Sequence, residues 1–264
     1  MTARELLKQA KLDEALARLQ TDIKQRPEDA GLRFGLFQLL ALTGRWERAR
    51  VQIQTAVSLN PRLAPVAQQF QSFVELELVR SAVFGGKRLP AIVGPTPDWL
   101  ELLLEGRSAT TPRRLAAALK AQAKALKLAP ARPGNVDGTS FAWLSDADAR
   151  LGPTIEVYLQ CNYNWVPLER IAQIEFEPPR EMQDLIWLPV KLTWLNGGTT
   201  LAHMPCRYPG TERSDKPELV LARTVAWRKL GPNYLIGTGV RMLSADCGDF
   251  PITTIRKLTF STRK

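Results

Sequence analysis

The segment Asp146-Ala147-Asp148-Ala149-Arg150-Leu151-Gly152-Pro153 holds the residues best suited, by type and spacing, to do chemistry. Carboxylates at alternate positions invite calcium or magnesium, which take oxygen ligands. The EF-hand pattern, however, needs another oxygen donor where Arg150 stands and a glycine where Leu151 stands. An acid that caps the backbone or pairs with Arg150, fixing the entry into a strand, accounts for the pattern better than a metal site. Arg207, Tyr208 and Arg241 are open to two readings: they pair internally with Asp146, Asp148 or Asp246, or they present a binding surface.

Other chemistry finds less support. His203 is the single histidine, so a histidine-based triad would rest on it alone. His203 and Cys206 have the spacing that starts a zinc site, but no CxxC or second histidine completes four ligands. Cys161, Cys206 and Cys247 are odd in number and far apart, which argues against a disulfide framework and fits three buried small hydrophobes in a reducing compartment. No GxxxxGK loop occurs, and Gly237-Thr238-Gly239 lacks the third glycine and following helix of a dinucleotide site. No catalytic set, metal or cofactor is expected, and an enzyme, the third reading, would need a metal or substrate held by Asp146, Asp148, Arg150 or Arg207.

The formal charge of +10 makes nucleic acid or an acidic protein surface a plausible partner. Residues 107–132 concentrate it in Arg107, Arg113, Arg114, Lys120, Lys124, Lys127 and Arg132, with no acid among them. Lys120, Lys124 and Lys127 share one helical face and Leu115, Leu119 and Leu126 another, the pattern of a solvated amphipathic helix. Aromatics for base stacking are absent from the stretch, so nucleic acid is the runner-up rather than the favoured partner. The start of the sequence lacks a signal-peptide pattern and no run approaches the roughly 20 apolar residues of a membrane span. A cytoplasmic location away from the membrane is expected.

The elements that must position these residues differ between the two halves. Gly44, Trp46, Ala49, Ile53, Ala56, Leu59 and Pro61 follow the second half of a tetratricopeptide repeat, a helical hairpin of about 34 residues. One repeat earlier, Leu12, Ala15, Leu19, Ile23 and Pro27 keep the chemical type of Trp46, Ala49, Ile53, Val57 and Pro61. Small alanines let two antiparallel helices approach, Gly44 permits the turn and Pro61 ends the helix. Thr2 and Glu5 form a capping box for the first helix, and residues 65–84 read as a long helix covering the end of the array.

From residue 139 the period changes from helical to two. Ile155, Val157, Leu159 and Cys161 alternate with Thr154, Glu156, Tyr158 and Gln160, the mark of a strand with one buried face. Residues 172–176, 187–195, 199–204, 219–227, 234–237 and 252–260 read as further strands, residues 180–186 as a short helix, and Asn196-Gly197-Gly198 as a hairpin turn. The fold class is therefore α+β: a TPR-like helical repeat domain over residues 1–130, then a mainly antiparallel β domain over 139–264.

Five blocks carry a family resemblance, in order: residues 141–153 (FAWLSDADARLGP), 165–170 (WVPLER), 184–189 (DLIWLP), 207–210 (RYPG) and 237–243 (GTGVRML). Together they resemble the ImpE/TagJ accessory proteins of bacterial type VI secretion, also called SciE-type, over nearly the whole chain. Val240 stands where the family pattern carries Gln. The motif residues of the C-terminal domain are Asp146, Asp148, Arg150, Arg170, Arg207, Tyr208 and Arg241. The resemblance implies a non-enzymatic cytoplasmic accessory factor that contacts the N-terminal helix of the small contractile-sheath subunit and is linked to the ClpV-type AAA+ unfoldase that recycles sheath.

A repeat groove is suited to such a helix, burying its side chains at i, i+3, i+4 and i+7. By repeat register the groove is lined by Glu5 and Lys8, by Phe34, Gln38, Ala41 and Leu42, and by Gln68, Ser72 and Glu75. Phe34 is the expected anchor because an aromatic contributes the most buried area at an interface centre.

Overall fold

The computed structural model describes residues 1–106 and 112–261. Arg107, the expected cap Thr111 and the Arg113 side chain lie outside the described residues. Thr2 and Glu5 form their capping box at the head of α1 (Ala3–Lys8), the Thr2 N–H donating to Glu5 Oε2 at 2.8 Å. α1 pairs with α2 (Leu12–Gln25), and α3 (Ala30–Leu42) with α4 (Trp46–Leu59). Ala15 and Ala49 are fully buried between the helices, as their size requires. Gly44 makes the α3–α4 turn at φ +66°, where a Cβ would lie 2.4 Å from Glu212 Cγ. The long α5 (Ala64–Phe84) then covers the array.

The helical half also reaches into the sheet. After α5, β1 (Ala91–Ile92) pairs in parallel with β6 (Asn162–Pro167), and α6 (Asp98–Gly106) and α7 (Pro112–Leu128) follow as a helical pair. Arg170 donates to the Val93 and Pro95 carbonyls and so ties down the segment after β1. β2 (Gly134–Val136) lies inside the stretch read as the boundary between halves, before β3 (Thr139–Phe141) and β4 (Leu144–Asp146). β5 (Thr154–Leu159), β6, β7 (Ile171–Phe176), β8 (Trp187–Trp194) and β9 (Thr199–Pro205) form the centre of the sheet.

Two expected strands are redrawn. Residues 219–227 are split between α8 (Pro217–Val220) and β10 (Val225–Gly231), because Pro217 starts a helical turn and Ala222 takes a left-handed backbone. β10 pairs with β11 (Tyr234–Gly239) as a separate ribbon. Residues 252–260 give only β14 (Lys257–Phe260), while β12 (Met242–Ala245) pairs with β13 (Gly248–Pro251) and β4. Among the described residues the main sheet runs β1-β6-β5-β9-β8-β7-β14-β2-β3.

One apolar core crosses both halves. It joins Leu16, Phe37, Phe70 and Phe73 of the helices to Tyr158, Trp165, Trp187 and Tyr208 of the β half, and a second core fills the interior of the sheet.

Candidate functional site

The inner row of the repeat groove is filled by the protein's own β half. Trp187, at the start of β8, stacks on Phe70 at 5.7 Å and lies 5.4 Å from Phe73 and 6.3 Å from Trp46. The 3-10 turn Met182–Leu185 brings Gln183 against α3, where the Gln38 side-chain amide donates to it. Gln38, Ala41 and Leu42 are buried there, and the Leu42 carbonyl accepts from Arg207 Nη1 at 2.8 Å. The expectation that these three line an open groove is corrected for this conformation. An apolar trough and a large aromatic on one chain meet without the entropy loss of association between two molecules.

The remaining six lining residues are placed apart. Phe34 is half-buried at the rim, 5.6 Å from Phe37 and 6.3 Å from Phe70 by ring centroid. Gln68 and Glu75 are exposed and Ser72 half-buried on α5, and Glu75 pairs with Arg50 of α4 at 3.1 Å. Glu5 and Lys8 are exposed on α1, where Arg223 Nη2 donates to the Leu7 carbonyl at 2.7 Å, beside α8 rather than α5. Gln68 and Ser72 line a cleft of about 480 Å³ between α5 and the sheet.

The chemical-looking residues converge on a buried seam of alternating charge beneath the filled groove. Asp146 accepts from the Asp148 N–H at 2.8 Å, and Asp148 accepts from the Arg150 N–H at 3.0 Å, two successive turns built by the alternating acids. Arg150 closes on Asp148 through Nε at 2.8 Å and Nη2 at 2.6 Å, while its guanidinium lies 4.7 Å over Phe84 of α5. Arg241, fully buried, bridges Asp146 Oδ2 at 3.2 Å and Glu156 of β5. Arg80 of α5 donates to Glu156 at 2.7 Å, to Glu77 at 3.5 Å and to the Arg207 carbonyl at 2.7 Å. Tyr208 donates to Asp146 Oδ1 at 3.0 Å, and Asp148 Oδ2 accepts from the Gly237 N–H at 3.0 Å. Gly237 has no alternative there, since a Cβ would lie 2.2 Å from the Tyr208 ring.

Burial sets the electrostatics of the seam. It pushes the Asp146 carboxyl up to about 6 against the pull of Arg241, and it lowers the Arg241 guanidinium to about 10 against the pull of Asp146. Each partner therefore loses more by leaving water than it gains from the other. Burial also lowers Arg207, which is held by backbone carbonyls. The acids are occupied by arginines, tyrosines and backbone N–H groups, and through Arg80 and Glu156 the set joins α5 to the sheet. Among the described residues no group of three or more His, Cys, Asp or Glu side chains is arranged to hold a metal ion.

Sequence reasoning missed Glu77, Arg80, Glu156 and Trp187. The signals for the first two were charged residues three apart inside an apolar helix. Glu156 was assigned to an exposed face, but β5 is buried on both faces because α5 covers the second one. Of the cysteines only Cys206 is buried; Cys161 and Cys247 are exposed. Lys120, Lys124 and Lys127 are exposed as expected, but so is Leu126 at 43%, which removes it from the buried stripe.

The comparisons with known proteins fit this architecture. The family model described as ImpE protein matches residues 138–259, and one described as tetratricopeptide repeat matches residues 6–71. The chain is 36% identical over 260 residues to the type VI secretion system accessory component TagJ of Pseudomonas aeruginosa, covering 98% of this chain and 91% of that protein. The chain belongs to the ImpE/TagJ family. Its fold matches the crystal structure of protein VPA1032 from Vibrio parahaemolyticus with a TM-score of 0.88 at 25% identity, over 99% of this chain and 98% of that one. All five ImpE/TagJ motif blocks fall within the matched span, and four of them, all but the one at residues 165–170, supply side chains to the seam or to the filled groove.

Proposed function

We propose that this protein is a non-catalytic adaptor of type VI secretion. It acts in the cytoplasm, takes up the N-terminal helix of the small sheath subunit, and assists sheath assembly or ClpV-dependent recycling. The observation that carries the reading is the 36% identity to the TagJ accessory component along nearly the full length of both proteins. Two features support it. The groups that resemble catalytic machinery are buried and engaged with one another, and no helix among the described residues is long and apolar enough to cross a membrane.

With the inner row of α3 occupied, the surface left for a partner helix is the rim formed by Phe34 and the outer row of α5, Gln68, Ser72 and Glu75. Phe34 supplies apolar area and the α5 row supplies polar contacts around it. Titrating the full chain with the sheath subunit's N-terminal peptide tests this, with Phe34→Ala expected to weaken binding about tenfold or more. No binding by the unaltered protein would remove the adaptor reading; equal binding by Phe34→Ala would remove the rim.

A further inference from the structure

β9 runs past the end of its neighbour. β5 meets β9 at one pair, Tyr158 with His203, and then turns away through Gln160 and Cys161, both in left-handed conformation. Residues 199–201 therefore extend beyond the β5–β6 turn with β8 on one side and no strand on the other among the described residues.

The hydrogen-bond phase of the β8–β9 ladder fixes which groups point outward. The Cys206 N–H donates to the Ile186 carbonyl and the Trp194 N–H to the Gly198 carbonyl, so the even-numbered residues of β9 bond to β8. In an antiparallel ladder the odd-numbered residues then turn their N–H and C=O the other way. His203 spends its pair on β5, leaving the N–H and C=O of Thr199 and Leu201 on an open edge.

The edge carries none of the usual protection. Residues 199–202 are Thr-Thr-Leu-Ala, without the lysine or proline that blocks strand addition. Leu201 is 81% exposed, the most exposed of the large apolar side chains. It shares a strand face with His203, whose ring lies 4.7 Å from Phe73, and both border the cleft of about 480 Å³ beside α5. The other walls, Pro65, Gln68, Ser72, Tyr158 and Cys161 among them, are uncharged, although the chain carries a net charge of +10.

We propose that the outer edge of β9 at residues 199–201 docks an extended, uncharged segment of a protein partner. The segment adds as a further strand and places one apolar side chain in the cleft beside Leu201. A helix satisfies its own backbone and offers nothing to the Thr199 and Leu201 groups; an extended chain answers both. A second copy of this chain is disfavoured because it would bring two strongly positive molecules together. The cleft shares Gln68 and Ser72 with the rim assigned to a helix, but the open strand edge lies outside that rim and the proposal does not depend on that assignment.

The test uses the full chain and a blocked heptapeptide, acetyl-Thr-Val-Thr-Leu-Thr-Val-Thr-amide, with a control carrying proline at its centre. Under saturating peptide, amide exchange at Thr199 and Leu201 is expected to slow at least tenfold, and the proline control to leave it unchanged. Leu201→Pro, which removes an outward N–H without touching the β8 ladder, is expected to weaken binding at least tenfold. Leu201→Lys, which keeps the N–H but guards the edge, serves if the proline variant does not fold and is also expected to weaken binding. Unchanged exchange at both amides, or unaltered affinity in the variant, overturns the proposal. So does protection that is already present without peptide and rises with a concentration-dependent doubling of mass.

Discussion

The helical half meets the sheet in two contacts of opposite character. One is aromatic and dry, with Trp187 against Phe70, Phe73 and Trp46. The other is ionic and equally dry, with Arg80 and Arg241 on Glu156, and Asp146 and Asp148 behind them. The aromatic contact gains free energy mainly by leaving water, with a single directional bond from Trp187 Nε1 to Glu77 at 3.1 Å tying it to the ionic one. The ionic contact gains little in net stability, yet it penalises any arrangement in which a partner is missing. Adhesion therefore resides in the first and alignment of the two halves in the second.

Arg241 is the most sensitive point of the ionic contact. Arg241→Ala leaves Asp146 and Glu156 facing each other without their shared cation, and it should cost about 3–5 kcal/mol in urea unfolding. Trp187→Ala should cost about 3 kcal/mol or more, while Trp187→Phe, which keeps a ring against Phe70, should lose much less. A mild effect of Arg241→Ala beside a large one of Trp187→Ala would assign both adhesion and alignment to the aromatic contact.

Acidity sharpens the contrast next. Folded Asp146 holds its proton more tightly than an unfolded carboxyl, at about 6 against 3.8, so it adds stability as pH falls through that window. Folded His203, beside the aromatic contact, holds its proton less tightly, at about 4 against 6.5, so it removes stability as pH falls. Each amounts to roughly 3 kcal/mol at most and the two oppose. Unfolding midpoints between pH 6.5 and 4.5 should thus fall more steeply for Asp146→Asn than for the unaltered chain, and less steeply, or rise, for His203→Gln. Identical slopes in all three proteins would contradict the assignment.

Smaller effects complete the series. Gly237→Ala should cost about 1–3 kcal/mol by driving a Cβ into the Tyr208 ring, read as a lowered thermal midpoint. Gln38→Ala should cost only about 1 kcal/mol, since Gln183 loses one partner at a partly buried position.

The hairpins were legible because Ala15, Ala49, Gly44 and Pro61 report local requirements of helix approach, turn and termination. The Asp148–Arg150 pair was legible for the same reason, its members lying two positions apart. The filling of the groove was not, because it depends on Trp187 meeting Phe70 across more than a hundred residues. Glu156 shows the limit of periodicity: its strand alternates in sequence, but a charged partner on α5 turns the polar face into an interior one. The open edge of β9 was equally hidden, since it depends on where β5 stops.

The central claim is that the helical half and the sheet are a single folded unit whose groove is occupied from within. Thermal unfolding followed at once by the helical circular dichroism signal and by tryptophan fluorescence tests this directly. The account predicts coincident transitions with one midpoint in both signals; loss of helix at a lower temperature, with the fluorescence unchanged, would contradict it.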